Sequence, residues 1–418
     1  MKAAKRQSKW LVMAVVCCLA VMLVPGYAPA DDLLVDEAYG NHPYHFWWGF
    51  LSKDNVTVGV GGEGTFNHLF GLEVVCQTLT LGEQPGSHGQ YIIPELSLGM
   101  LTVKNEYIGL GGRGDFEQRS GIHWVRGDLA LAYESDSIGN YSLYDGKLSV
   151  WGHEHIGRLG VGTFNQEGGL HVVNRLVLGN PDGGTGTYNY EGGKLKAETI
   201  EVKENGTFNV TDVDGTVYGD VHIYDGGIVK TTNADVTFAG EMTIEVGGTF
   251  QSDPSEIVFL MTLTVSGNIL ASPGDVLLFH QDLIFEGDDN SADLAESCLA
   301  FADDEDMTHS LMLPTTYDLE VACLEVGEGD VLELSEGKIY AAVLEGVDVD
   351  FETKEFTNII GSTGTILLYD PEQNPQFGGE TFSLLGGGTA LPIPVPASVL
   401  LLGSGLLGLG LLGWRRRK

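Results

Sequence analysis

Hydrophobic and polar residues alternate along most of the chain, in short stretches that Gly, Asn and Asp separate from one another. A period of two residues is typical of β-strands, because successive side chains of a strand point to opposite faces of its sheet. No stretch between residues 31 and 390 has a convincing helical period. The pattern therefore predicts an all-β protein built from strands of about three to six residues.

These strands belong to an internal repeat. The triplet Gly-Thr/Asp-Phe occurs five times, and its Phe residues are 50, 48, 44 and 42 positions apart. A related triplet that ends in Tyr lies between the first four copies, which makes the half-period 20 to 25 residues. The Phe copies begin at Gly64, Gly114, Gly162, Gly206 and Gly248, and the Tyr copies begin at Gly89, Gly139 and Gly186. A fixed period of this length is typical of solenoids and propellers.

The half-period suits one coil of a right-handed parallel β-helix with three short strands. A single coil cannot bury its apolar face, whereas coils stacked at ~4.8 Å form a continuous core. The repeated Gly suits corners that need positive φ or a close backbone approach. From Gly64 to Gly248 the repeat predicts about 8 coils and a rod of roughly 40 Å. A propeller with four strands per blade fits the full repeat too, but the similarity of the half-repeats favours the β-helix.

The repeat also divides the chain into regions. Residues 31–55, which include His45-Phe46-Trp47-Trp48, are predicted to cap the exposed edge of the first coil. The β-helix is predicted at 56–265. Because the triplets stop after Phe250, a smaller β-rich module with acidic loops is predicted at 266–390.

Both ends of the chain are apolar and basic. Residues 1–30 have a basic start, an apolar run and a small-residue site at Ala28 and Ala30, which is the order of a secretory signal peptide cleaved after Ala30. Near the other end, residues 397–414 carry no charge, and as a helix they would span about 27 Å, close to the ~30 Å of a bilayer core. They are predicted to form a transmembrane helix. Four cations follow it and are predicted to stay cytoplasmic: Arg415, Arg416, Arg417 and Lys418.

The charge between these two signals is strongly negative. All 58 acidic residues and only 14 of the 22 Lys and Arg lie there, so the processed body has a net charge near −44. Such a body repels nucleic acid and anionic lipid surfaces, and it attracts divalent cations or cationic polymers. We therefore expect no nucleic-acid partner.

Three cysteines, Cys76, Cys298 and Cys323, remain after signal cleavage. An odd number in an oxidising compartment allows at most one intramolecular disulfide. Cys298 and Cys323 lie in one late region and are the better candidates for a pair. Three buried free thiols are the equally weighted alternative.

Some short segments contain residues that can bind metals. His153-Glu154-His155 would place two imidazoles on one face of a strand, but we expect surface side chains there rather than a metal site. In the repeat, this segment corresponds to Asn105-Glu106-Tyr107. Glu73, His123 and His171 are expected to form a row on the exterior.

The acidic run Asp303-Asp304-Glu305-Asp306 allows weak Ca²⁺ binding, but a solvated loop is the preferred interpretation. Arg113-Gly114-Asp115 spells an adhesion tripeptide, yet it lies on the repeat's own triplet. No phosphate-binding loop or nucleophile constellation stands out, so we expect no resident metal or cofactor and no catalytic residues.

The C-terminal segment resembles a known sorting signal. At residues 391–418, the proline motif, the apolar span and the basic tail together resemble a PEP-CTERM domain, although Val395 stands where that family usually has Glu. The motif positions are Pro394, Val395, Pro396, Ala397 and Ser398. The repeats are also similar to those of β-helical passengers of such proteins and of autotransporters. The resemblance implies transient anchoring in the inner membrane and removal of the tail near Pro396 by an exosortase, in Gram-negative bacteria that make extracellular polysaccharide.

Together these features predict an exported structural or adhesive protein of the cell surface or extracellular matrix, associated with exopolysaccharide or biofilm and not an enzyme. The alternative is a polysaccharide lyase or glycoside hydrolase on a β-helix, which would use Asp and Glu clusters beside Lys or Arg. Lys and Arg are scarce in this chain, and neighbouring carboxylates cannot be identified from their order along it.

Overall fold

The computed structural model describes residues 32–392, apart from 48, 70–72, 288–290, 304, 306, 315 and 316. The described residues form β-strands, numbered here in chain order, and two 3₁₀ turns at Glu37–Tyr39 and Pro375–Phe377. The strands belong to two sheets, one of 12 strands and one of 26.

The 12-stranded sheet consists of β2 (Tyr44–Phe46), β4 (Glu63–His68), β6 (His88–Ile93), β8 (Arg113–Gln118), β11 (Ile138–Leu143), β13 (Val161–Gln166), β15 (Thr185–Tyr190), β17 (Gly206–Thr211), β19 (Ile228–Thr232), β22 (Thr249–Asp253), β25 (Asn268–Leu270) and β28 (Ser291–Asp293). The 26-stranded sheet consists of β1 (Leu33–Val35), β3 (Phe50–Val58), β5 (Glu73–Leu81), β7 (Met100–Ile108), β9 (Ile122–Val125), β10 (Leu129–Leu131), β12 (Lys147–Ile156), β14 (Leu170–Leu178), β16 (Lys194–Val202), β18 (Asp214–Ile223), β20 (Asp235–Phe238), β21 (Met242–Ile244), β23 (Glu256–Phe259), β24 (Leu263–Val265), β26 (Val276–Phe279), β27 (Leu283–Phe285), β29 (Cys298–Phe301), β30 (Thr308–Met312), β31 (Asp318–Val326), β32 (Val331–Leu334), β33 (Gly337–Glu345), β34 (Val349–Asp350), β35 (Glu355–Gly361), β36 (Thr365–Tyr369), β37 (Phe382–Leu385) and β38 (Thr389–Pro392).

Strands pair in parallel with their equivalents in the next coil. Gly139 of β11, for example, lies opposite Gly114 of β8 on one side and Gly162 of β13 on the other. The result is a parallel β-solenoid of about 15 coils. This confirms the predicted β-helical architecture and is incompatible with a propeller, whose blades are antiparallel. Two antiparallel pairings occur in the described part, β34 with β35 and β37 with β38.

Each of the earlier coils contributes one strand to the 12-stranded sheet and two strand segments to the larger sheet. In the middle of the solenoid the two segments are separate strands, such as β20 and β21. Earlier they join into one bent strand, and the register of β12 shifts between Val150 and His153 where it bends. The predicted three short strands per coil occur in the middle of the solenoid, whereas in most earlier coils two of the three segments form one strand of 9 or 10 residues.

The aromatic residue of the triplet fills the core. Consecutive rings stack with centroids 4.6–5.0 Å apart and interplanar angles of 9° or less. This geometry adds about 0.5–1.5 kcal/mol per pair beyond the burial of apolar surface. The stack consists of Phe66, Tyr91, Phe116, Tyr141, Phe164 and Tyr188. It explains why Phe and Tyr alternate at this position without a change of structure.

The glycine of the triplet is required by close backbone approach. A Cβ atom on Gly139 would lie 2.1 Å from the carbonyl oxygen of Ile108 and 2.4 Å from the amide nitrogen of Ala132. The φ of Gly139 is not positive, so the space and not the dihedral angle excludes a side chain.

The parallel ladders continue without a break across residue 266, where the sequence predicted a separate β-rich module. β24 pairs with β27, which pairs with β30, and the larger sheet extends to β38. What changes is the cross-section, because the 12-stranded sheet ends at β28. The triplet disappears there because Ile269 and Ala292 take the column position of Phe250.

The region predicted as a cap already takes part in both ladders. β1 pairs with β3, and β2 pairs with β4. The Asp36 carboxylate accepts hydrogen bonds from the backbone N–H groups of Ala38, Val60, Gly61 and Gly62 at 2.8–3.0 Å. Burial tends to raise the pKa of Asp36, but these donors lower it below its ordinary value.

Among the described residues there is no helix whose length and apolar character would let it cross a bilayer. The predicted signal peptide with Ala28 and Ala30, the motif at 394–398, the span at 397–414 and the basic cluster at 415–418 all lie outside the described residues.

Candidate functional site

The outer side of the 12-stranded sheet carries two parallel rows of half-buried side chains, together called the polar face here. The first row follows the glycine of each triplet, and the second follows the aromatic residue. The first row is Thr65, Gln90, Asp115, Asn140, Thr163, Thr187 and Thr207, and the second is Asn67, Ile92, Glu117, Ser142, Asn165, Asn189 and Asn209. Because the coils stack in register, hydroxyl and amide groups recur at the ~4.8 Å spacing of the sheet.

Hydrogen bonds between coils hold several of these side chains in place. Asn189 donates to Asn165 at 2.8 Å, and Asn209 donates to Asn189 at 2.9 Å. Such amide ladders order the side chains along the solenoid axis before any ligand arrives. A preorganised array loses less conformational entropy on binding than free side chains would.

Asp115 is the charged centre of the polar face. Arg113 Nε lies 2.9 Å and His88 Nε2 2.6 Å from its Oδ2, and Asn140 donates to its Oδ1 at 2.7 Å. Burial tends to raise the pKa of Asp115, but these three partners lower it below the ordinary value. Arg113 and Asp115 therefore pair with each other on a strand, in keeping with the interpretation that the triplet explains the Arg-Gly-Asp sequence.

The prediction that His123 and His171 lie on the exterior is wrong. Both are 0% exposed, and each imidazole stacks on a core phenylalanine at a centroid distance of 4.9 Å. The register explains the error, because Glu73 is in the column of Ile122, whereas His123 is in the column of Val74. A slip of one residue moves a side chain to the opposite face of a strand.

His171 belongs to a buried chain of polar side chains. Its Nε2 lies 2.8 Å from Glu154 Oε2, and its Nδ1 lies 2.9 Å from the Tyr188 hydroxyl, which donates to Gln166 Oε1 at 2.5 Å. All four side chains are 0% exposed. The expectation that Glu154 is a surface side chain is therefore wrong. Side chains alternate between the two faces of a strand, and Glu154 lies between the exposed His153 and the half-buried His155, so it points inward.

An equivalent series of buried polar side chains occurs one full repeat earlier. His123 lies 2.9 Å from Glu106 and 3.0 Å from Tyr141, which donates to Gln118 at 2.6 Å. His123 Nε2 and Glu106 Oε2 are close but do not have hydrogen-bond geometry, and neither Glu106 oxygen has a hydrogen-bond partner among the described residues. The sequence does carry a signal for these chains. Glu106, Gln118 and His123 recur 48 residues later as Glu154, Gln166 and His171, inside an otherwise apolar pattern.

Counting donors and acceptors fixes the positions of the protons in the buried group of Glu154, His171, Tyr188 and Gln166. The Gln166 amide nitrogen donates to the carbonyl oxygens of Gly168 and Lys194, so its oxygen accepts the Tyr188 proton. Burial raises the pKa of Tyr188, and the Glu154 charge adds to this effect, so the phenol stays protonated. Nδ1 of His171 must then donate to the phenol oxygen, and one further proton lies between Nε2 and Glu154. Glu154 and His171 are both 0% exposed, so this pair is closed to solvent.

His153 and His155 do not form part of a three-residue ligand cluster among the described residues. Their ring centroids are 6.0 Å apart. Burial lowers the pKa of His155, and the nearby His153 and Arg158 lower it further. His155 is therefore neutral at pH 7.

The structure brings the two candidate cysteines together. Cys298 and Cys323 are register partners on β29 and β31, and their side chains pack together. Cys76 is buried in a distant coil, and burial raises its pKa further above neutrality. All three are free thiols in this structure, so the Cys298–Cys323 disulfide stays a prediction.

A shallow pocket opens beside the acidic loop. Its described lining contains no Lys or Arg, and it consists of Leu260, His280, Gln281, Asp303, Glu305 and Met307. Asp303 accepts the backbone N–H of Glu305 at 2.7 Å, which fixes a tight turn, while Asp304 and Asp306 lie outside the described residues.

Comparison of the chain with protein-family models and with curated proteins found no match.

Proposed function

We propose that this protein is an exported structural or adhesive rod that contacts exopolysaccharide at the cell surface or in the extracellular matrix. The observation that carries the proposal is the polar face, a double row of mainly hydroxyl and amide side chains, several of them ordered by hydrogen bonds between coils, on a highly acidic solenoid. Sugar hydroxyls exchange hydrogen bonds with such groups. Weak contacts repeated along a rod add up when one polymer engages many of them.

The sequence features of both ends support the proposed location. Residues 1–30 would direct export, and residues 397–414 would form a membrane helix until an exosortase-type enzyme acts at Pro394–Ser398. The net charge near −44 would keep the rods apart and favour cation-bridged contacts in a matrix.

A glycan lyase or hydrolase is the competing class, but no observation favours it. Such enzymes need an acid and a base that reach the substrate. The two Glu–His pairs described above are closed off in the core, and the pocket beside the acidic loop has no cationic side chain in its described lining.

The first test uses purified residues 31–391 and the exopolysaccharide of the producing bacterium. We expect the protein to be retained on the polymer without producing reducing ends or unsaturated sugars. Turnover of the polymer would replace the proposal with the enzymatic alternative, and absence of retention would refute the adhesive role.

A matched pair of variants tests whether the polar face is responsible. Thr187 and Thr207 are neighbours on that face, and Thr243 and Thr264 are neighbours on the outer side of the larger sheet with similar exposure. The double variant T187V/T207V should lower the affinity for the polymer several-fold, whereas T243V/T264V should leave it unchanged. Val retains the shape and β-propensity of Thr, so only the hydroxyls are removed.

The sorting step has its own test. Deleting residues 392–418 should release the protein into the periplasm or the medium, which fractionation and immunoblotting would reveal. If the shortened protein is retained at the membrane as the full chain is, the sorting role of this segment is wrong.

A further inference from the structure

The strongest unexplained feature lies where the 12-stranded sheet ends. After β28 the chain continues through β29, an acidic loop and β30, and the turn that precedes β32 covers this loop. Asp303 in the loop, His309 on β30 and Asp330 in the turn bring one nitrogen and two carboxylate oxygens to within 4.8 Å of one another. His309 Nε2 and Asp330 Oδ1 are already 3.6 Å apart.

His309 differs from the other core histidines of the solenoid. It is 0% exposed, yet neither of its ring nitrogens has a hydrogen-bond partner. In contrast, both ring nitrogens of His171 are engaged. This buried imidazole has lost its hydration without gaining a hydrogen bond in the described part of the chain, since its charged neighbour Asp330 is 3.6 Å away. A bound ion between the two would account for their positions.

The two carboxylates are oriented by backbone donors. Asp330 Oδ1 accepts the N–H of Met307 at 3.1 Å, and its Oδ2 accepts the N–H of Asp303 at 3.4 Å. Asp303 Oδ1 accepts the N–H of Glu305. These bonds hold the oxygens in place as the outer contacts of a metal site do, and they leave further lone pairs free to bind an ion. Among the described residues, no Lys or Arg forms an ion pair with either carboxylate.

We propose that Asp303, His309 and Asp330 bind a divalent transition-metal ion of the zinc class. An imidazole nitrogen with two carboxylate oxygens suits Zn²⁺ or Mn²⁺, whereas Ca²⁺ takes oxygen ligands alone. In a tetrahedral Zn²⁺ site with bonds of about 2.0–2.2 Å, ligand atoms lie roughly 3.3–3.6 Å apart. The His309–Asp330 pair already meets this distance, and Asp303 would approach it by a small movement of its side chain.

The ion has a route into the site. Asp303 is half-buried and lines the shallow pocket beside the acidic loop, while His309 and Asp330 lie behind it in the core. The ion would tie the loop to the turn before β32 and so join two coils just beyond the end of the 12-stranded sheet, which forms the third face of the earlier coils. This role is structural, and it is independent of polysaccharide binding.

Metal titration of the full chain, purified in mild detergent and stripped with a chelator, tests the site. We expect saturable binding of Zn²⁺ by calorimetry, weaker binding of Mn²⁺ and much weaker binding of Ca²⁺. The thermal midpoint should rise with the Zn²⁺ concentration, because an ion that binds only the folded state stabilises it. Co²⁺ in place of Zn²⁺ should give an absorption spectrum that reports nitrogen and oxygen ligands.

Three variants locate the site. His309→Asn and Asp303→Asn should each weaken the high-affinity Zn²⁺ event by at least about tenfold, and Asp303→Asn changes only a half-buried loop residue, so its folding is not in question. The matched control is His42→Asn, because His42 lies in a separate group of ligating side chains with Glu37 and Glu63. His42→Asn should leave the high-affinity binding of Zn²⁺ unchanged. Equal Zn²⁺ affinity in Asp303→Asn and the unmodified chain, or Ca²⁺ affinity equal to that of Zn²⁺, would overturn the proposal.

Discussion

Two buried histidines, His171 before residue 294 and His309 after it, differ in their hydrogen bonding. In the earlier coils, Glu154, His171, Tyr188 and Gln166 satisfy one another across neighbouring layers. In the later coils, His309 lies in an equally closed core with both ring nitrogens unpartnered. The third face makes the difference, because Tyr188 and Gln166 come from the 12-stranded sheet, which ends at β28. Buried Asn374 of the later coils, in contrast, bonds to the backbone of Ala342 and Leu344, so the contrast applies to the two histidines and not to every buried polar group.

Breaking the buried series of Glu154, His171, Tyr188 and Gln166 should have the largest effect on stability. His171→Leu leaves the Glu154 carboxyl and the Tyr188 hydroxyl without their partner, so we expect a loss of about 3–5 kcal/mol in the free energy of unfolding. The double variant E154L/H171L removes both members of the pair and should recover much of that loss. Denaturant unfolding followed by circular dichroism measures both. A single variant as stable as the double variant would show that the pair is not coupled.

The second prediction concerns the later coils. Under oxidising conditions Cys298 and Cys323 should form a disulfide that joins two coils beyond the end of the 12-stranded sheet and stabilises the protein by about 2–4 kcal/mol. In the protein without residues 1–30, mass spectrometry after alkylation should then find a single free thiol, on Cys76. The C298S/C323S variant should be insensitive to reductant. Labelling of all three cysteines in the oxidised, denatured protein would contradict the pairing.

The third prediction tests the close packing between the earlier coils. Gly139→Ala places a methyl group against the Ile108 carbonyl, so we expect a loss of about 1–3 kcal/mol. Gly61→Ala is the matched control, because its nearest contact would be the Gln84 side chain at 3.5 Å, and we expect a change within about 0.5 kcal/mol. Similar losses in both variants would mean that spacing between coils is not what selects glycine.

The smallest effect is expected on the polar face, from Asp115→Asn. The folded-state pKa of Asp115 is lowered, so its contribution to stability is present above the unfolded value near 3.8 and is lost as the pH falls through the folded value. We therefore expect the variant to be less stable by about 1 kcal/mol at pH 7, and the difference to vanish in acid. Unfolding midpoints between pH 7 and pH 2 measure this. A difference that persists at pH 2 would assign the effect to packing.

Much of the solenoid follows from local spacing. The triplets from Gly64 to Gly248 predicted about eight coils, and nine strands of the 12-stranded sheet, from β4 to β22, stack over that stretch with eight steps between them. The inward position of His123 was missed because the alignment of the half-repeats slipped by one residue at Glu73. An alignment anchored on the Phe and Tyr positions alone does not fix the register of the strand that follows a loop of variable length.

The grouping of Asp303, His309 and Asp330, for which we propose a metal ion, could not be predicted in the same way. Asp303, His309 and Asp330 do not recur at the repeat period, and Asp330 is 21 residues beyond His309 in the next coil. The run of acidic residues at 303–306 drew attention to the loop, but only stacking places a buried imidazole and a carboxylate from another layer beside it.

The amino-acid sequence alone determined that this chain alternates in short strands, repeats at about one coil, and stacks Phe and Tyr above one another. These properties depend on local periodicity, which is complete within each repeat. The tertiary structure decided which polar side chains meet in the core, that the ladders continue past residue 266, and where the third face ends. Those properties depend on the register between coils, and register is set by the packing of whole layers rather than by any one segment.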